Sequence, residues 1–515
     1  HLSFDGAPRL IEERIQRLLK VSGVTSASPN FILHLPAMAV PNDTFFGSQW
    51  HLQNTGQAGN PGVDINAADA WGVQTGSLSV RVAIIDEGVD VFHEDLAANI
   101  VAGHDSTNQA SPAGVPGNCA STDGHGTACA GLAAGIGNNG LGISGVAWTA
   151  EIQPIRLGFG NHWTENAWIL DALTWATDNG SDILSNSWGG GAPSTAEQDT
   201  LQYALDTGRG GLGCILVFAS GNDNAGVSYP AAYNQAIAVG ASSPCDERKN
   251  PASCDGEDWW GSNFGTQQTV VAPGVLMVTT DISGAGGYVT TGATADYVAN
   301  FNGTSSATPV TAGALAVLLA QNGNLTATQV RTILETSSDD QIGPPAEDTP
   351  GFDNNFGFGR INLANMLATL GGPIGPSAAT CTDQSIGVQV TWTNGEAYDE
   401  VRISRDGVLL ATVAGSSTGY LDLSVPIGQH TWEIQGVAGG TLSLSASCSI
   451  FLLGNIRDLI WAPETGTTDS GTALANALVA SGRSIVTVGS ISAIPDLDRL
   501  DRIWVQLGMY PNNHQ

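Results

Sequence analysis

Three short clusters in the middle of the chain carry the residue types needed for acyl transfer by a serine. Asp86 ends an apolar run, His125 stands between two glycines, and Ser305 follows an Asn-Gly-Thr turn. A carboxylate can fix the tautomer of an imidazole, and that imidazole can take the proton of a hydroxyl that attacks a carbonyl carbon. The pattern predicts that Asp86 orients His125, that His125 is the general base and that Ser305 is the nucleophile.

Each cluster also allows a purely structural interpretation. Asp86 can be a turn residue that closes a strand, and Ser305 can cap a helix, a position that serine favours. At Ser305 we expect a helix start, with Pro309 in the first turn and helix-end amides directed at any negative charge beside it. The glycines around His125 leave its ring uncrowded, which favours a functional role over a place in the core.

A fourth cluster supplies a hydrogen-bond donor. The residues Phe218-Ala-Ser-Gly-Asn222 end an apolar strand in a glycine turn. The side-chain amide of Asn222 can donate to the oxyanion that forms during acyl transfer, and the loss of such a donor slows reactions by roughly 10²–10³. We therefore expect Asn222 to complete the site.

The clusters stand where strands or loops lead into helices. Between residues 41 and 370, apolar strands such as those near Val80, Ile183 and Cys214 alternate with helices. Near-continuous apolar strands of this kind indicate an α/β fold, in which helices cover both faces of a parallel sheet. Such sheets build their sites where the strands end.

Changes of pattern along the chain predict further domains. Residues 1–40 read as a separate small unit, and a linker rich in Gly and Pro spans 371–377. Period-two alternation and the Asp406-Gly407 turn predict an all-β sandwich over 378–450. Residues 451–515 alternate strand and helix again, and we interpret them as the start of a further, truncated α/β domain.

The charge balance excludes some functions. The chain has 515 residues, 42% of them hydrophobic, and a formal charge of −31 from 48 acidic and 17 basic residues. So much apolar sequence builds cores rather than a disordered chain, and so acidic a surface repels nucleic acid. The apolar stretch 310–320 is shorter than the roughly 20 residues that span a bilayer. We expect no nucleic-acid partner, no membrane span and a secreted protein whose signal peptide is not in this chain.

The seven cysteines are not spaced for zinc. Cys245 and Cys254 flank a polar loop, and Cys381 and Cys448 bracket a strand-rich segment. We predict a disulfide for each pair, which indicates an oxidising compartment. The remaining three have no evident disulfide partner, and the last two are expected to be buried thiols: Cys119, Cys129 and Cys214.

Taken together, the four clusters resemble the subtilisin-like serine peptidases, the subtilase family, which use the chain order Asp, His, Ser. The resemblance covers residues 41–370, from Gln49-Trp-His-Leu near the start to Phe356-Gly-Phe-Gly near the end. It implies a serine endopeptidase with a subtilisin-like sheet that acts as a monomer on protein or peptide substrates. It also implies the same roles for the four residues named above.

The family's substrate pocket and calcium site map onto matching stretches. The resemblance implies a pocket for the residue before the scissile bond at Ser187, Trp188, Gly189, Phe218, Ala219 and Ser220. It implies a structural Ca²⁺ held by oxygen donors at Asp43, Asp95, Gly137, Asn139, Leu141 and Ile143. The alternative interpretation of these residues is that they are ordinary surface carboxylates and a Gly-rich turn that bind no metal. No organic cofactor is expected.

One feature resembles a particular branch of the family. Glu87 and Ser187-Trp-Gly are similar to the kexin-like enzymes, which cut after paired basic residues. In that branch acidic residues follow the Ser-Trp-Gly motif, whereas here Gly190, Gly191 and Ala192 follow it. The dibasic preference is therefore not expected.

The flanking regions resemble known modules. Residues 1–40 resemble the end of an inhibitory prosegment, which implies a zymogen that cuts itself between Leu33 and Asp43 and has its own prosegment as a partner. Residues 378–450 resemble a fibronectin type III module with Trp392 in its core.

Two other functions compete with the peptidase. A catalytically silent binding or adhesion protein can keep the same fold, and the sandwich suits that role. An esterase of the α/β-hydrolase type is suggested by Gly-x-Ser-x-Gly at 415–419, but this pattern lies between predicted strands rather than at a strand-to-helix elbow.

Overall fold

The structure, a computed structural model, describes residues 40–452 with short gaps, and three strands beyond them. The gaps are 161–162, 293–294, 371–375, 385–386, 396, 427 and 439–440, and the later strands are 458–461, 485–488 and 502–505. The described residues divide into two compact units, one up to residue 370 and one from residue 376 onward. The unit predicted at 1–40, most of the linker and the helix expected in the last segment lie outside the described residues.

Seven parallel strands form the central sheet of the first unit. They are β1 (Arg81–Asp86), β2 (His104–Asp105), β3 (Glu151–Arg156), β6 (Ile183–Asn186), β7 (Ile215–Ala219), β8 (Ile237–Ser242) and β9 (Val270–Pro273). Two antiparallel pairs complete the set: β4 (Gly158–Phe159) with β5 (Trp163–Thr164), and β10 (Met277–Thr280) with β11 (Tyr297–Phe301). Every residue of β6 to β9 is buried, as the apolar runs in the sequence predicted.

Helices cover both faces of this sheet. Their bounds are α1 (Ala67–Ala70), α2 (His125–Ala134), α3 (Asn166–Asp178), α4 (Thr195–Gly211), α5 (Thr304–Gln321), α6 (Ala327–Ser337) and α7 (Leu363–Thr369), with 3₁₀ turns at Phe46–Ser48 and Pro112–Gly114. Helices α2 and α5 pack on each other and on the sheet. Helices α3 and α4 share a core with Ile85 and Phe218 of the strands. Among the described helices, none is both long enough and apolar enough to cross a membrane.

The sheet has a switch point at β1. Its strand order is β2-β3-β1-β6-β7-β8-β9, so β2 and β3 lie on one side of β1 and the later strands on the other. All of these strands are parallel, so their carboxyl ends meet at one edge. In such sheets ligands bind outside the carboxyl ends beside the switch point. Asp86 ends β1, Ser187 follows β6 and Ser220 follows β7 at this edge.

An antiparallel β-sandwich begins the second unit. One sheet contains β12 (Ser377–Gln384), β13 (Gly387–Thr393) and β16 (Gly419–Asp422), and the other contains β14 (Glu400–Arg405), β15 (Val408–Ala414), β17 (Gly428–Ala438) and β18 (Thr441–Leu452). Buried side chains of both sheets share one core, which includes Val390, Trp392 and Trp432. Asp406 and Gly407, with φ of 51° and 76°, form the predicted two-residue turn between β14 and β15.

Three short strands follow the sandwich. β19 (Asp458–Trp461) lies between β20 (Ile485–Val488) and β21 (Arg502–Val505), and both neighbours run parallel to it. The further α/β domain that we expected here stays a prediction, because its helix lies outside the described residues.

Both predicted disulfides are present, Cys245–Cys254 and Cys381–Cys448. Cys119, Cys129 and Cys214 are free and buried.

Candidate active site

The buried Asp86 and the partly buried His125 are hydrogen-bonded at the carboxyl edge of the sheet. The Nδ1 atom of His125 lies 2.9 and 3.0 Å from the two carboxylate oxygens of Asp86. The Asp86 carboxylate also accepts a hydrogen bond from the backbone N–H of Glu87, at 2.8 Å. Burial alone lowers the pKa of His125, but the adjacent Asp86 carboxylate, together with the Cys129 sulfur, outweighs burial and holds that pKa well above 6.5. The imidazole is thus oriented by the carboxylate and stabilised in its charged form.

Glycines permit this close approach. Gly126 follows His125 in the first turn of α2, and a Cβ there would lie 2.2 Å from the carbonyl oxygen of Gly88 and 2.9 Å from the Cβ of Asp86. Gly88 itself has φ of 95°, a backbone conformation that side chains disfavour. The glycines that framed His125 in the sequence therefore let its helix start contact the end of β1.

Ser305 lies in the first turn of α5, which begins at Thr304. Pro309 therefore stands in the interior of this helix, and the prediction that it lies in the first turn was wrong. Because proline has no N–H, it cannot donate to the carbonyl of Ser305, its partner four residues earlier. That carbonyl accepts instead from Ser187 Oγ at 2.9 Å and from Cys129 Sγ at 3.5 Å. The Ser305 hydroxyl donates to the backbone oxygen of Ser187 at 3.1 Å.

Asn222 is held with its amide nitrogen directed over Gly303. Its Oδ1 accepts from the backbone N–H of Thr304 at 2.8 Å and from the Thr304 hydroxyl at 3.0 Å. The oxygen is thus occupied, and a Cβ added at Gly303 would lie 3.3 Å from Nδ2 of Asn222. Gly303 has φ of 116° and precedes the helix start. The Asn222 N–H₂ group therefore lies beside the turn that leads into Ser305.

Cys129 lies directly below the imidazole. It stands one helical turn after His125, and its Sγ is 4.0 Å from Nδ1 of that residue. Burial raises the pKa of the Cys129 thiol, so the thiol is neutral at pH 7. Asp86 is accordingly the charged neighbour of His125. The sequence predicted a buried thiol here, and the i, i+4 spacing from His125 was the signal that it would contact the site.

An open cleft of about 630 Å³ runs past these residues. Ser187, Trp188, Gly189 and Ala219, all predicted pocket residues, line it together with His125, Asn222 and Ser305. The other two predicted pocket residues, Phe218 and Ser220, are fully buried and are not among the lining residues. Phe218 supports the cleft from below, because its ring packs edge-on against Trp188 with centroids 5.6 Å apart.

Several aromatic or apolar lining residues were not predicted as pocket residues. Trp259, Tyr288 and Val298 belong to segments distant from the four clusters, whereas Phe301 begins the cluster that contains Ser305. The Phe301 ring packs edge-on against His125, with centroids 5.4 Å apart, and Tyr288 packs on Phe301 at 5.9 Å. No local motif marks the three distant residues, because chain topology alone brings them to the cleft.

Five of the six residues predicted to hold calcium are joined by hydrogen bonds, and Gly137 is the sixth. The buried carboxylate of Asp43 accepts from the backbone N–H groups of Asn138 and Asn139 at 2.7 and 3.0 Å. The buried carboxylate of Asp95 accepts from the Asn139 amide at 2.7 Å and from the N–H of Ile143 at 2.8 Å. Burial raises the pKa of Asp95, and the nearby Asp43 raises it further.

This donor set fits a hard cation. In the described part of the chain neither Asp43 nor Asp95 forms an ion pair with Lys or Arg, so their two charges are not compensated there. Two carboxylates beside a Gly-rich turn offer the oxygen ligands that Ca²⁺ prefers. The Asn139 amide would have to turn, since its nitrogen rather than its oxygen now faces Asp95.

A family model described as the subtilase family matches residues 78–359, which are 282 of the 515 residues. The chain belongs to the subtilase family. This subtilase is 35% identical to the calcium-dependent protease of Nostoc sp., over 62% of this chain and 51% of that protein. It is 32% identical to the extracellular protease of Xanthomonas campestris pv. campestris, over 64% of this chain and 57% of that protein.

Among solved structures, a protease of Pseudoalteromonas arctica matches this subtilase with a TM-score of 0.53 and 26% identity. The match covers 64% of this chain and 99% of that one. The chain spans about half the length of the two relatives named above. Fold and family are thus shared with these proteins.

Proposed function

We propose that the protein is a serine endopeptidase that hydrolyses peptide bonds through Asp86, His125 and Ser305. The observation that carries this proposal is the contact between His125 Nδ1 and both oxygens of Asp86, at the mouth of a cleft that Ser305 also lines. The names of the relatives, each a protease, support the same activity.

The reaction begins with proton transfer. The Ser305 hydroxyl exchanges its hydrogen bond to Ser187 for one to Nε2 of His125, which takes the proton as Oγ attacks the carbonyl carbon. The imidazolium that forms is stabilised by Asp86. His125 then delivers the proton to the leaving amine, and water attacks the acyl-enzyme by the same route in reverse.

The negative charge of the tetrahedral intermediate forms on the carbonyl oxygen. We assign its stabilisation to the Nδ2 group of Asn222 and the backbone N–H of Ser305 at the start of α5. The hydrogen bonds from Thr304 hold Asn222 in place before the reaction, so little reorganisation is needed as the charge develops. Loss of one such donor elsewhere costs roughly 10²–10³ in rate.

Labelling of the nucleophile tests this proposal against the silent binding protein. A fluorophosphonate is expected to label the wild-type chain at one site and to leave Ser305→Ala unlabelled and inactive on casein. Ser306→Ala is the matched control, because it removes the neighbouring hydroxyl of the same helix and should keep the label. Equal labelling of Ser305→Ala would remove Ser305 from the mechanism, and an unlabelled wild-type chain would favour the silent protein.

We extend the proposal to the substrate pocket. Ser187, Trp188, Gly189 and Ala219 would receive the side chain before the scissile bond. The likeness of Glu87 to the kexin-like branch is not expected to carry a dibasic preference, because Gly190 follows the Ser-Trp-Gly motif. Cut sites in a peptide library test this, and cleavage confined to paired basic residues would contradict it.

Three further assignments complete the proposed function. Ca²⁺ would stabilise the turn at 138–143, which contacts both Asp43 and Asp95, as the name of the Nostoc relative supports.

Secretion is supported by the two disulfides and by the name of the Xanthomonas relative. The sandwich at 378–450 would be a fibronectin type III-like module, since its two sheets of three and four strands and buried Trp392 match that pattern.

The prosegment is proposed from sequence alone, because residues 1–40 lie almost wholly outside the described residues. A purified chain is expected to lose about 4 kDa from its start only when Ser305 is intact. Persistence of His1 in the active chain would contradict self-cleavage.

A further inference from the structure

Trp259 is an exposed aromatic residue inside the candidate cleft. Its side chain is 71% exposed, the highest value among the large hydrophobic residues of the described chain, yet it lines the same cleft as Asn222 and Ser305. An indole left open to water contributes little to folding. Aromatic side chains held at the wall of a binding site instead supply a large contact area for a ligand.

The loop that carries Trp259 is rigidly held. The Cys245–Cys254 disulfide closes the segment just before it, and the fully buried Lys249 of that segment donates to Asp255 at 2.7 Å. The Nζ of Lys249 also lies over the ring of Trp260, 5.3 Å from its centroid. These contacts anchor the residues on both sides of the exposed Trp259.

The same loop is tied to the reaction centre on both sides of Trp259. Before it, the Glu257 carboxylate accepts from Asn302 Nδ2 and from Trp260 Nε1, each at 2.8 Å. After it, the N–H of Gly261 donates to the backbone oxygen of Asn222 at 3.4 Å. Trp259 is therefore bracketed by contacts to the turn before Ser305 and to the oxyanion donor.

The position of His125 shows which half of a substrate passes this wall. His125 must deliver its proton to the leaving amine, so the leaving half lies on the imidazole side of Ser305. Phe301 packs on His125, and Asn302, which holds the Trp259 loop, follows Phe301 directly. The opposite half of the cleft is the pocket of Ser187, Gly189 and Ala219. Phe301 is thus a wall of the leaving side, and the Glu257–Asn302 hydrogen bond joins the loop of Trp259 to that wall.

We propose that Trp259, held between the contacts of Glu257 and Gly261, forms with Phe301 a subsite for a bulky apolar side chain directly after the scissile bond. The inference rests on the proposed peptidase function and adds a specificity-determining residue to it. An exposed indole facing an aromatic wall gains most from a side chain such as Phe or Leu, because both partners then leave water.

Acyl transfer to added amines isolates this half of the cleft. An N-acylated peptide ester forms the acyl-enzyme and releases its alcohol, so only the acceptor then occupies the leaving side. When an amino acid amide attacks, the new C–N bond forms, the ester bond to Ser305 Oγ breaks, and the amine proton passes through His125 back to Oγ. The ratio of aminolysis to hydrolysis, measured by chromatography, reports acceptor binding independently of the acyl pocket.

The experiment compares Phe-NH₂, Leu-NH₂, Gly-NH₂ and Arg-NH₂ as acceptors for wild type, Trp259→Ala and Trp259→Phe. We expect wild type to favour Phe-NH₂ and Leu-NH₂ over Gly-NH₂, and Trp259→Ala to reduce that preference by roughly tenfold. Trp259→Phe should keep most of it. Phe92→Ala is the matched control, since Phe92 is 64% exposed but does not line the cleft, and its ratios should equal those of wild type.

The outcomes separate this inference from the proposed function. If wild type forms the acyl-enzyme and Trp259→Ala keeps the full preference for Phe-NH₂, the subsite is wrong and the peptidase stands. A strongest preference for Arg-NH₂ that is lost in Trp259→Ala would overturn the apolar character of the subsite. A wild-type chain that forms no acyl-enzyme from any ester and takes no fluorophosphonate label would overturn the proposed function and, with it, the subsite.

Discussion

Pro309 stands four residues after Ser305 within one helix, so the carbonyl of Ser305 lacks its helical hydrogen-bond donor. The donors that replace it are the hydroxyl of Ser187 and the thiol of Cys129, which are 118 and 176 residues away in the chain. An imino acid inside a helix thus ties the nucleophile's backbone to the end of β6 and to the helix of His125. Three segments of the candidate site share one acceptor.

This relationship predicts a coupling between positions 187 and 309. Ser187→Ala removes the stronger donor and is expected to lower the free energy of unfolding by about 1–2 kcal/mol. In a Pro309→Ala background the new N–H supplies the helical hydrogen bond, so the cost of Ser187→Ala should fall to nearly zero. A double-mutant cycle measures this coupling by urea unfolding of the parent chain, the two single variants and the double variant. All four carry Ser305→Ala to prevent self-digestion. Equal costs in both backgrounds would show that the carbonyl does not couple the two positions.

The raised pKa of His125 predicts opposite pH dependences for activity and stability. Catalysis needs the neutral imidazole, so kcat/KM should rise with pH through a pKa above the ordinary 6.5. The ion pair with Asp86 stabilises the fold fully below the unfolded pKa near 6.5, and this contribution is lost as pH rises through the higher folded pKa. Two measurements across pH 5–9 test these dependences: kcat/KM on a peptide ester, and the free energy of unfolding of the Ser305→Ala chain. A kcat/KM that rises through a pKa at or below 6.5 would contradict the pairing of His125 with Asp86.

Asp86→Asn is expected to leave the fold intact and lower kcat by about 10⁴, because an amide neither fixes the productive tautomer nor stabilises the imidazolium. The acid limb of the pH profile should also move toward 6.5. Asp171→Asn is a control, since that carboxylate pairs with the partly exposed His104 instead. A loss in kcat of less than tenfold for Asp86→Asn would mean that His125 acts without this partner.

The two uncompensated carboxylates at Asp43 and Asp95 predict calcium-dependent stability. Chelation is expected to lower the melting temperature of the Ser305→Ala chain by about 5 °C, and added Ca²⁺ should restore it. Asp95→Asn should abolish the response, whereas Asp171→Asn should keep it. Calorimetric titration with Ca²⁺ gives the stoichiometry without reference to activity. An unchanged melting curve on chelation, with no heat of binding, would refute the metal site.

The parallel sheet, and the candidate site residues in the four clusters, could be predicted from the sequence because their signals are local. Buried strands read as apolar runs, and Gly126 beside His125 shows the close approach of a helix to a strand end. The start of α5 was misplaced for a physical reason. Proline is expected near a helix start, but here the helix begins five residues earlier, at Thr304, and distant donors satisfy the carbonyl that Pro309 leaves open.

The cleft walls could not be predicted in the same way. Trp259 follows a polar loop with no periodicity, and Phe301 reads as an ordinary strand residue. Both line the same cleft, and the segments that carry them are joined by the hydrogen bond between Glu257 and Asn302, a contact across 45 residues that no motif marks. Conversely, Phe218 and Ser220 belong to the matching motif yet are buried, because successive residues of a strand end face opposite directions.

The buried pair of Lys249 and Asp255 predicts a large effect from a single change. Both side chains are fully buried, and Lys249 Nζ also donates to Ser253 Oγ at 3.1 Å. Lys249→Met leaves the Asp255 charge buried without its partner, which is expected to lower the free energy of unfolding by about 3–5 kcal/mol. Lys249→Met with Asp255→Asn removes both charges and should recover much of that loss. Urea unfolding in the Ser305→Ala background measures the stability of the single and the double variant. A double variant no more stable than Lys249→Met would show that the unpaired Asp255 carboxylate does not cause the loss of stability.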